Sequence, residues 1–178
     1  MKTRRLFYAA ELPRAALTQL EQLQQALVRY GADGRWVSRQ MLHITLHFIG
    51  GVQEVQIPAL CRVLDGISDG MKPIEIGIRR MGCFSQSRGK LIYAAADVPV
   101  GLTEAVGRLK EEAGIGDMKP FKPHITLMRS ATGNTDMSEL NACIPVNISC
   151  TLSELVLFES AWERGRPVYI PLHRVRLE

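Results

Sequence analysis

Leu42-His43-Ile44-Thr45-Leu46-His47-Phe48-Ile49-Gly50 returns later in the chain as Phe121-Lys122-Pro123-His124-Ile125-Thr126-Leu127-Met128-Arg129, with His-Ile-Thr-Leu unchanged in both. Repetition alters the reading of everything around it, and here it extends outward in both directions. Upstream, Leu6-Phe7-Tyr8-Ala9-Ala10-Glu11-Leu12-Pro13 parallels Leu91-Ile92-Tyr93-Ala94-Ala95-Ala96-Asp97-Val98-Pro99. The stretches after these open alike, Leu17-Thr18-Gln19 against Leu102-Thr103-Glu104. A third parallel joins Phe84–Tyr93 (FSQSRGKLIY) to Phe158–Tyr169 (FESAWERGRPVY), each with an Arg-Gly pair before a strand-like end. Several matches in one order point to an internal duplication. Its motif-bearing repeats cover approximately residues 4–50 and 90–130, with exchanged hairpins near 74–97 and 146–176.

Periodicity supplies the elements. Arg4–Leu12 is short, aromatic and aliphatic, and predicts a strand. Leu17, Leu20, Leu23, Leu27 and Val28 recur at helical spacing, so Ala15–Tyr30 predicts an amphipathic helix entered at Pro13 and stopped at Gly31. Leu42–Ile49 predicts a strand closed by Gly50-Gly51, and Val55–Leu64 a second helix. Ile74, Ile76 and Ile78 alternate with Glu75 and Gly77, the pattern of a strand with one wet face. The second half repeats the order: a strand near 91–97, a helix near 101–113, the strand holding His124, a short helix near 135–142, and strands near 146–158 and 167–176. The predicted fold is α+β, one bilobal domain over residues 1–178. Its two pseudo-symmetric lobes are each an antiparallel sheet with helices on the outer face, and the active-site cleft lies between them.

Composition narrows the setting. A chain of 178 residues buries enough surface to fold without a disulfide or metal staple. With 46% hydrophobic and 22% charged residues it is neither disordered nor fibrous. A net charge of +4 tolerates a polyanion without proving one. Cys61, Cys83, Cys143 and Cys150 stand far apart with no C-x-x-C pair, which fits neither a zinc site nor a disulfide scaffold and favours a reducing, cytoplasmic setting. The apolar run Leu6–Ala10 stops at Glu11, too short for a signal peptide, and no run reaches transmembrane length.

The repeated motif carries the chemistry. In a strand, residues i and i+2 share a face, so His43 projects with Thr45 and His124 with Thr126. If the halves are related by a two-fold axis, two imidazoles and two hydroxyls meet in one cleft. A neutral imidazole removes a proton from an attacking water while a protonated one delivers a proton to a departing oxygen, and both forms exist near neutral pH. Threonine hydroxyls can donate to the non-bridging oxygens of a phosphoester. Each task has a residue, so neither metal nor other cofactor is expected. The residues alone leave open which histidine is acid and which base.

Two His-x-Thr motifs in these contexts resemble the two-histidine phosphoesterase superfamily, and within it the RNA 2′,3′-cyclic phosphodiesterases, formerly called 2′-5′ RNA ligases. Arg5-Leu6-Phe7-Tyr8-Ala9, Trp36-Val37, Leu157-Phe158-Glu159-Ser160, Gly165 and Tyr169 are similar to that family as well. The resemblance runs from about residue 4 to 177. It implies hydrolysis of a terminal 2′,3′-cyclic phosphate to a 2′-phosphomonoester, with His43 as proton donor, His124 as proton acceptor and Arg129 as a phosphate ligand beside Thr45 and Thr126. With an RNA 5′-hydroxyl in place of water, the same groups would carry out ATP-independent 2′-5′ ligation. Ser38-Arg39-Gln40-Met41 departs from the family's usual approach to the first motif.

Other features weigh less. His43 and His47 suggest metal ligands only on a helix; in a strand they stand roughly 13 Å apart. Gly66-Ile67-Ser68-Asp69-Gly70 matches a nucleophile elbow by letters, yet it leaves a helix for a strand, the wrong context. Arg88-Gly89-Lys90 reads as a hairpin tip, and Asn147-Ile148-Ser149 as a sequon with no secretion signal. Lys122, together with Arg79, Arg80, Arg88, Lys90, Lys119, Arg164 and Arg166, could rim the cleft and grip RNA phosphates. Trp36, Phe84 and Phe121 are candidates for stacking on a terminal base. The expected partner is an RNA end bearing a 2′,3′-cyclic phosphate, met by a monomer with no membrane contact. Alternatives are a phosphodiesterase of small cyclic nucleotides or of 2′-5′ linked oligonucleotides, and a non-catalytic RNA-binding module.

Overall fold

The computed structural model describes residues 3–87 and 89–178; Arg88, expected at a cleft rim, lies outside them. Nine strands and four α-helices alternate along the described chain: β1 (Thr3–Glu11), α1 (Arg14–Arg29), β2 (Ala32–Trp36), β3 (His43–Gln53), α2 (Ile57–Ser68), β4 (Ile74–Gln86), β5 (Gly89–Asp97), α3 (Val100–Ala113), β6 (His124–Gly133), α4 (Met137–Cys143), β7 (Ile148–Leu152), β8 (Glu154–Glu163) and β9 (Arg166–Arg176). All strand pairs are antiparallel, in the order β7-β4-β5-β6-β3-β1-β8-β9, with β2 added to β6. Read from the middle, the order is the same in both directions: β3, β1, β8, β9 one way and β6, β5, β4, β7 the other. The halves meet through a single pair, Ile44 opposite Ile125.

Helices cover one face. The helix α1 buries Ala16, Leu20, Leu23 and Leu27, the stripe that its spacing predicts, and Gly31 beyond it takes φ +84°, a left-handed conformation suited to a helix stop. It packs over β2 and β7, in the half that it does not belong to by sequence, while α3 packs on α2 and β3. One apolar core therefore runs beneath both halves, from Leu6, Tyr8 and Ile44 to Ile92, Ile125 and Leu140. The opposite face of β1 and β8 carries a small separate cluster, Phe7, Ala9, Val156 and Phe158, with Tyr169 against it.

Three details differ from the sequence reading. The strand β3 does not close at Gly50-Gly51 but continues to Gln53, because Leu6 and Arg5 of β1 pair directly with those glycines. The segment Ala32–Trp36, assigned to no element, pairs with β6; its Asp-Gly-Arg centre hides the alternation that would mark a strand. The helix α2 runs on to Ser68, so Gly66 lies inside it and the turn is made by Gly70 at φ +69°.

The repeats also align one residue away from their letters. Ala9 pairs with Thr45 as Tyr93 pairs with Thr126, which makes Ala9 rather than Tyr8 the counterpart of Tyr93. A one-residue slip in a strand turns a side chain to the opposite face. Tyr8 is accordingly buried in the core with its hydroxyl donating to the Leu60 carbonyl at 2.7 Å, whereas Tyr93 stands on the cleft face beside His124.

Candidate active site

The central Ile44–Ile125 pair fixes the site. Its two side chains are fully buried in the core, so their neighbours along each strand point the other way. Antiparallel register then sets His43 across from Thr126 and Thr45 across from His124. His43 and Thr126 line a cavity of about 330 Å³; Thr45 and His124 line a second, of about 530 Å³. The two imidazoles are diagonal neighbours on the strand pair, a relation that spans about 7–8 Å and leaves room for a phosphoryl group between them.

Each ring is held the same way. His43 Nδ1 lies 2.7 Å from the Met41 carbonyl and His124 Nδ1 lies 2.6 Å from the Lys122 carbonyl, in both cases the oxygen two residues back. A carbonyl only accepts, so Nδ1 carries the hydrogen and Nε2 of the neutral ring is a bare base. His43 Nε2 lies 2.9 Å from the Thr45 hydroxyl, which donates to it. Aromatic rings support both imidazoles, Phe7 and Tyr169 each 5.2 Å from His43, and Phe84 and Tyr93 at 5.2 and 5.3 Å from His124.

This enclosure sets the protonation states. Burial lowers the His43 pKa to about 4, partly opposed by the Met41 carbonyl and reinforced by the positive charge of Arg129 and by the charge that His124 carries when protonated. His124 is lowered for the same leading reason, with the Lys122 carbonyl opposing and Arg129 adding to the effect. Both rings are thus neutral at pH 7 in the unliganded protein.

Arg129 reaches this face through an irregularity that strict alternation does not contain. His124 and Thr126 face the cleft, and a regular strand would send Arg129 to the core. Tyr93 pairs with Thr126 but Ile92 with Met128, so Leu127 is an extra, bulged residue. A bulge re-aims the side chains beyond it: Leu127 and Met128 are both buried, and Arg129 emerges in the cavity with His43 and Thr126. The same bulge stands at Leu46, between the pairs Ala9–Thr45 and Tyr8–His47. There it buries His47, which is 2% exposed, stacks on Tyr8 and donates from Nε2 to the Ile115 carbonyl at 2.7 Å. His43 and His47 therefore point to opposite faces and cannot share an ion.

The remaining candidates divide between the two cavities. Trp36 lines the His43 side while packing against the core; Phe84, Phe121 and Lys122 line the His124 side, with Phe121 also packed on the core. Sequence reasoning missed Phe7, Tyr93 and Tyr169, which touch the histidine rings, and also Lys110 and Arg35. The helix-face pattern hides Lys110, nearly buried and donating to the Lys119 carbonyl. Arg35 sits on the unpredicted β2 and lines the cavity of His43 with Arg129 and Arg166.

Two duplicated strands that set His and Thr of one against Thr and His of the other, on a face where each imidazole presents a bare nitrogen, define a phosphoesterase of the two-histidine class. The sequence pattern described as LigT like Phosphoesterase matches residues 11–93. An RNA 2′,3′-cyclic phosphodiesterase of Thermus thermophilus is 33% identical over 138 residues, covering 70% of this chain and 68% of that one. The Escherichia coli protein of the same name is 29% identical over 182 residues, covering 96% and 94%. The crystal structure of E. coli LigT complexed with 3′-AMP superposes with a TM-score of 0.79 at 27% identity, over 99% of each chain. The chain belongs to the LigT-like phosphoesterase family.

Proposed function

We propose that this protein is a metal-independent RNA 2′,3′-cyclic phosphodiesterase that yields a 2′-phosphomonoester, with His43 as proton donor and His124 as proton acceptor. The observation that carries it is the placement of the two bare Nε2 atoms on one face, either side of the Ile44–Ile125 pair. The relatives' names supply the substrate class.

The cyclic phosphate lies between the rings with its non-bridging oxygens toward Arg129, Thr45 and Thr126. Neutral His124 takes a proton from water as the water oxygen bonds to phosphorus. The P–O3′ bond breaks, and O3′ takes the proton held on His43 Nε2. The ring of His43, neutral when the site is empty, gains that proton with the substrate, because the anionic phosphate favours the imidazolium that burial disfavours. Afterwards His124 holds the extra proton and His43 lacks one, and exchange with water restores both. The enzyme works as a cytoplasmic monomer on RNA ends.

The test is RNA ended by a 2′,3′-cyclic phosphate, incubated in EDTA, with 2′- and 3′-phosphate products resolved. The wild type should give the 2′-phosphate, and His43→Ala and His124→Ala should each lose about 10²–10⁴-fold in kcat, the range of general acid–base catalysis. Undiminished turnover in either variant would falsify the assignment, and binding without turnover by the wild type would make the protein a binding module instead.

A further inference from the structure

The hairpin of β8 and β9 carries an indole outside the catalytic group. Trp162 is 70% exposed and, among the described residues, belongs to neither apolar cluster, whereas Trp36 packs on the core. Its direction is set by register. Tyr169 faces His43, and Pro167, two residues earlier on β9, lines the same cavity. Trp162 pairs with Pro167 across the hairpin with no bulge between this pair and Ser160–Tyr169. Cross-strand partners share a face, so the indole stands on the cleft face, one step outward from Tyr169.

We propose that Trp162 is a stacking platform for the nucleobase preceding the terminal nucleotide, so that the cleft favours an RNA strand over a mononucleotide. The proposal rests on the reading of the protein as an RNA cyclic phosphodiesterase. If His43 protonates O3′, the ribose of the terminal nucleotide lies on the His43 side, and the strand that leads to it leaves along the half carrying Trp162. Arg35, Arg129 and Arg166 line the cavity there and suit the phosphates of that strand. The hairpin end is fixed: Arg164 and Gly165 take φ +50° and +75°, the left-handed pair of a tight two-residue hairpin, closed by Glu163 opposite Arg166. An exposed aromatic on a rigid support beside an arginine-lined groove is the arrangement by which single-stranded nucleic acid is held without regard to sequence.

The experiment compares wild type, Trp162→Phe and Trp162→Ala, changes at an exposed position that the fold tolerates. Indole fluorescence is titrated with a trinucleotide ending in 2′-phosphate and with a nucleoside 2′-phosphate. The trinucleotide should quench the wild type more than Trp162→Phe, and the mononucleotide should quench the two equally. In turnover, the ratio of kcat/KM for a cyclic-phosphate trinucleotide to that for a cyclic mononucleotide should fall about 10-fold in Trp162→Ala and stay close to wild type in Trp162→Phe, which still stacks. An unchanged ratio in Trp162→Ala, or equal quenching of wild type and Trp162→Phe by the trinucleotide, overturns the platform. Wild-type protein that turns over neither substrate overturns the enzymatic reading, and the quenching comparison then decides the platform alone.

Discussion

His43 should make the folded protein sensitive to mild acid in a way that a single substitution removes. Its pKa is about 4 in the folded chain against 6.5 when exposed. The folded state therefore binds fewer protons than the unfolded state between those values. This contribution is fully present above pH 6.5 and is lost as the pH falls through 4. The difference amounts to about 3 kcal/mol, a sizeable share of the roughly 5–15 kcal/mol by which folded domains are stable. His124 and His47 are shifted the same way and steepen the fall. The substitution is His43→Gln, which keeps a polar side chain and removes the titration. Urea unfolding of both proteins at intervals from pH 7.5 to 4 isolates the His43 share as the pH dependence of the difference between them. Relative to the variant, the wild type should lose about 3 kcal/mol across that window. A difference that stays flat within about 1 kcal/mol would mean that His43 titrates as an exposed imidazole, and the enclosure described for it would be wrong.

Three further outcomes are expected. Arg129→Gln should lower kcat/KM for cyclic-phosphate RNA by about 10²-fold, with Arg129→Lys between, because a point charge does not reproduce bidentate donation; since Arg129 lowers both histidines, the acid limb of the pH–rate curve should also move to higher pH in the glutamine variant. Tyr8→Phe removes the second donor to the Leu60 carbonyl, which keeps its bond within α2, and should cost about 0.5–1.5 kcal/mol in urea unfolding while kcat/KM is unchanged. His47→Leu removes the tie to Ile115, and the neighbouring bond from the Asp117 amide to the Phe48 carbonyl should open with it; hydrogen exchange should then speed up in the Ile115–Asp117 segment, and exchange as slow as wild type would show that the segment is held elsewhere.

The duplicated tetrapeptide was enough to read the centre of the molecule, because a strand has only two faces and an apolar-polar alternation assigns them. The helices were legible for the same reason, with Leu20, Leu23 and Leu27 recurring at the right interval. Reading stopped where backbone irregularity intervened. Nothing in Thr45-Leu46-His47 or Thr126-Leu127-Met128 announces a bulge, since the apolar residues that it buries are ones that a regular strand also carries. By plain alternation His47 belongs beside His43 and Arg129 belongs inside; the bulge exchanges both. Letter matching failed in a related way at Tyr8 and Tyr93, where equal residues occupy opposite faces. Arg35 needed the tertiary pairing of β2 with β6, which no local pattern contains, whereas Arg166 was a rim candidate from its hairpin and lines the cavity of His43.

The bulge also explains how two copies of one motif come to differ. Positions equivalent by register are Phe48 and Arg129, each the first residue returned to the cleft face after the bulge. Phe48 gives the His124 side an apolar wall facing Lys110, Lys119 and Lys122, while Arg129 joins Arg35 and Arg166 beside His43. A symmetric site would hold a phosphate with equal charge at each imidazole and no preference for which one begins protonated. Here the planar, permanently charged groups gather around one ring and flexible ammonium groups around the other, so a phosphoryl group that docks on the arginines brings its negative charge to His43. That ring is the one lowered furthest by burial, and the arriving anion raises its pKa from the lowest starting point. On the proposed assignment of His43 as acid and His124 as base, the asymmetry arises where the bulge exposes Arg129 in one strand and Phe48 in the other, reinforced by Arg35 of β2 and Arg166 of β9.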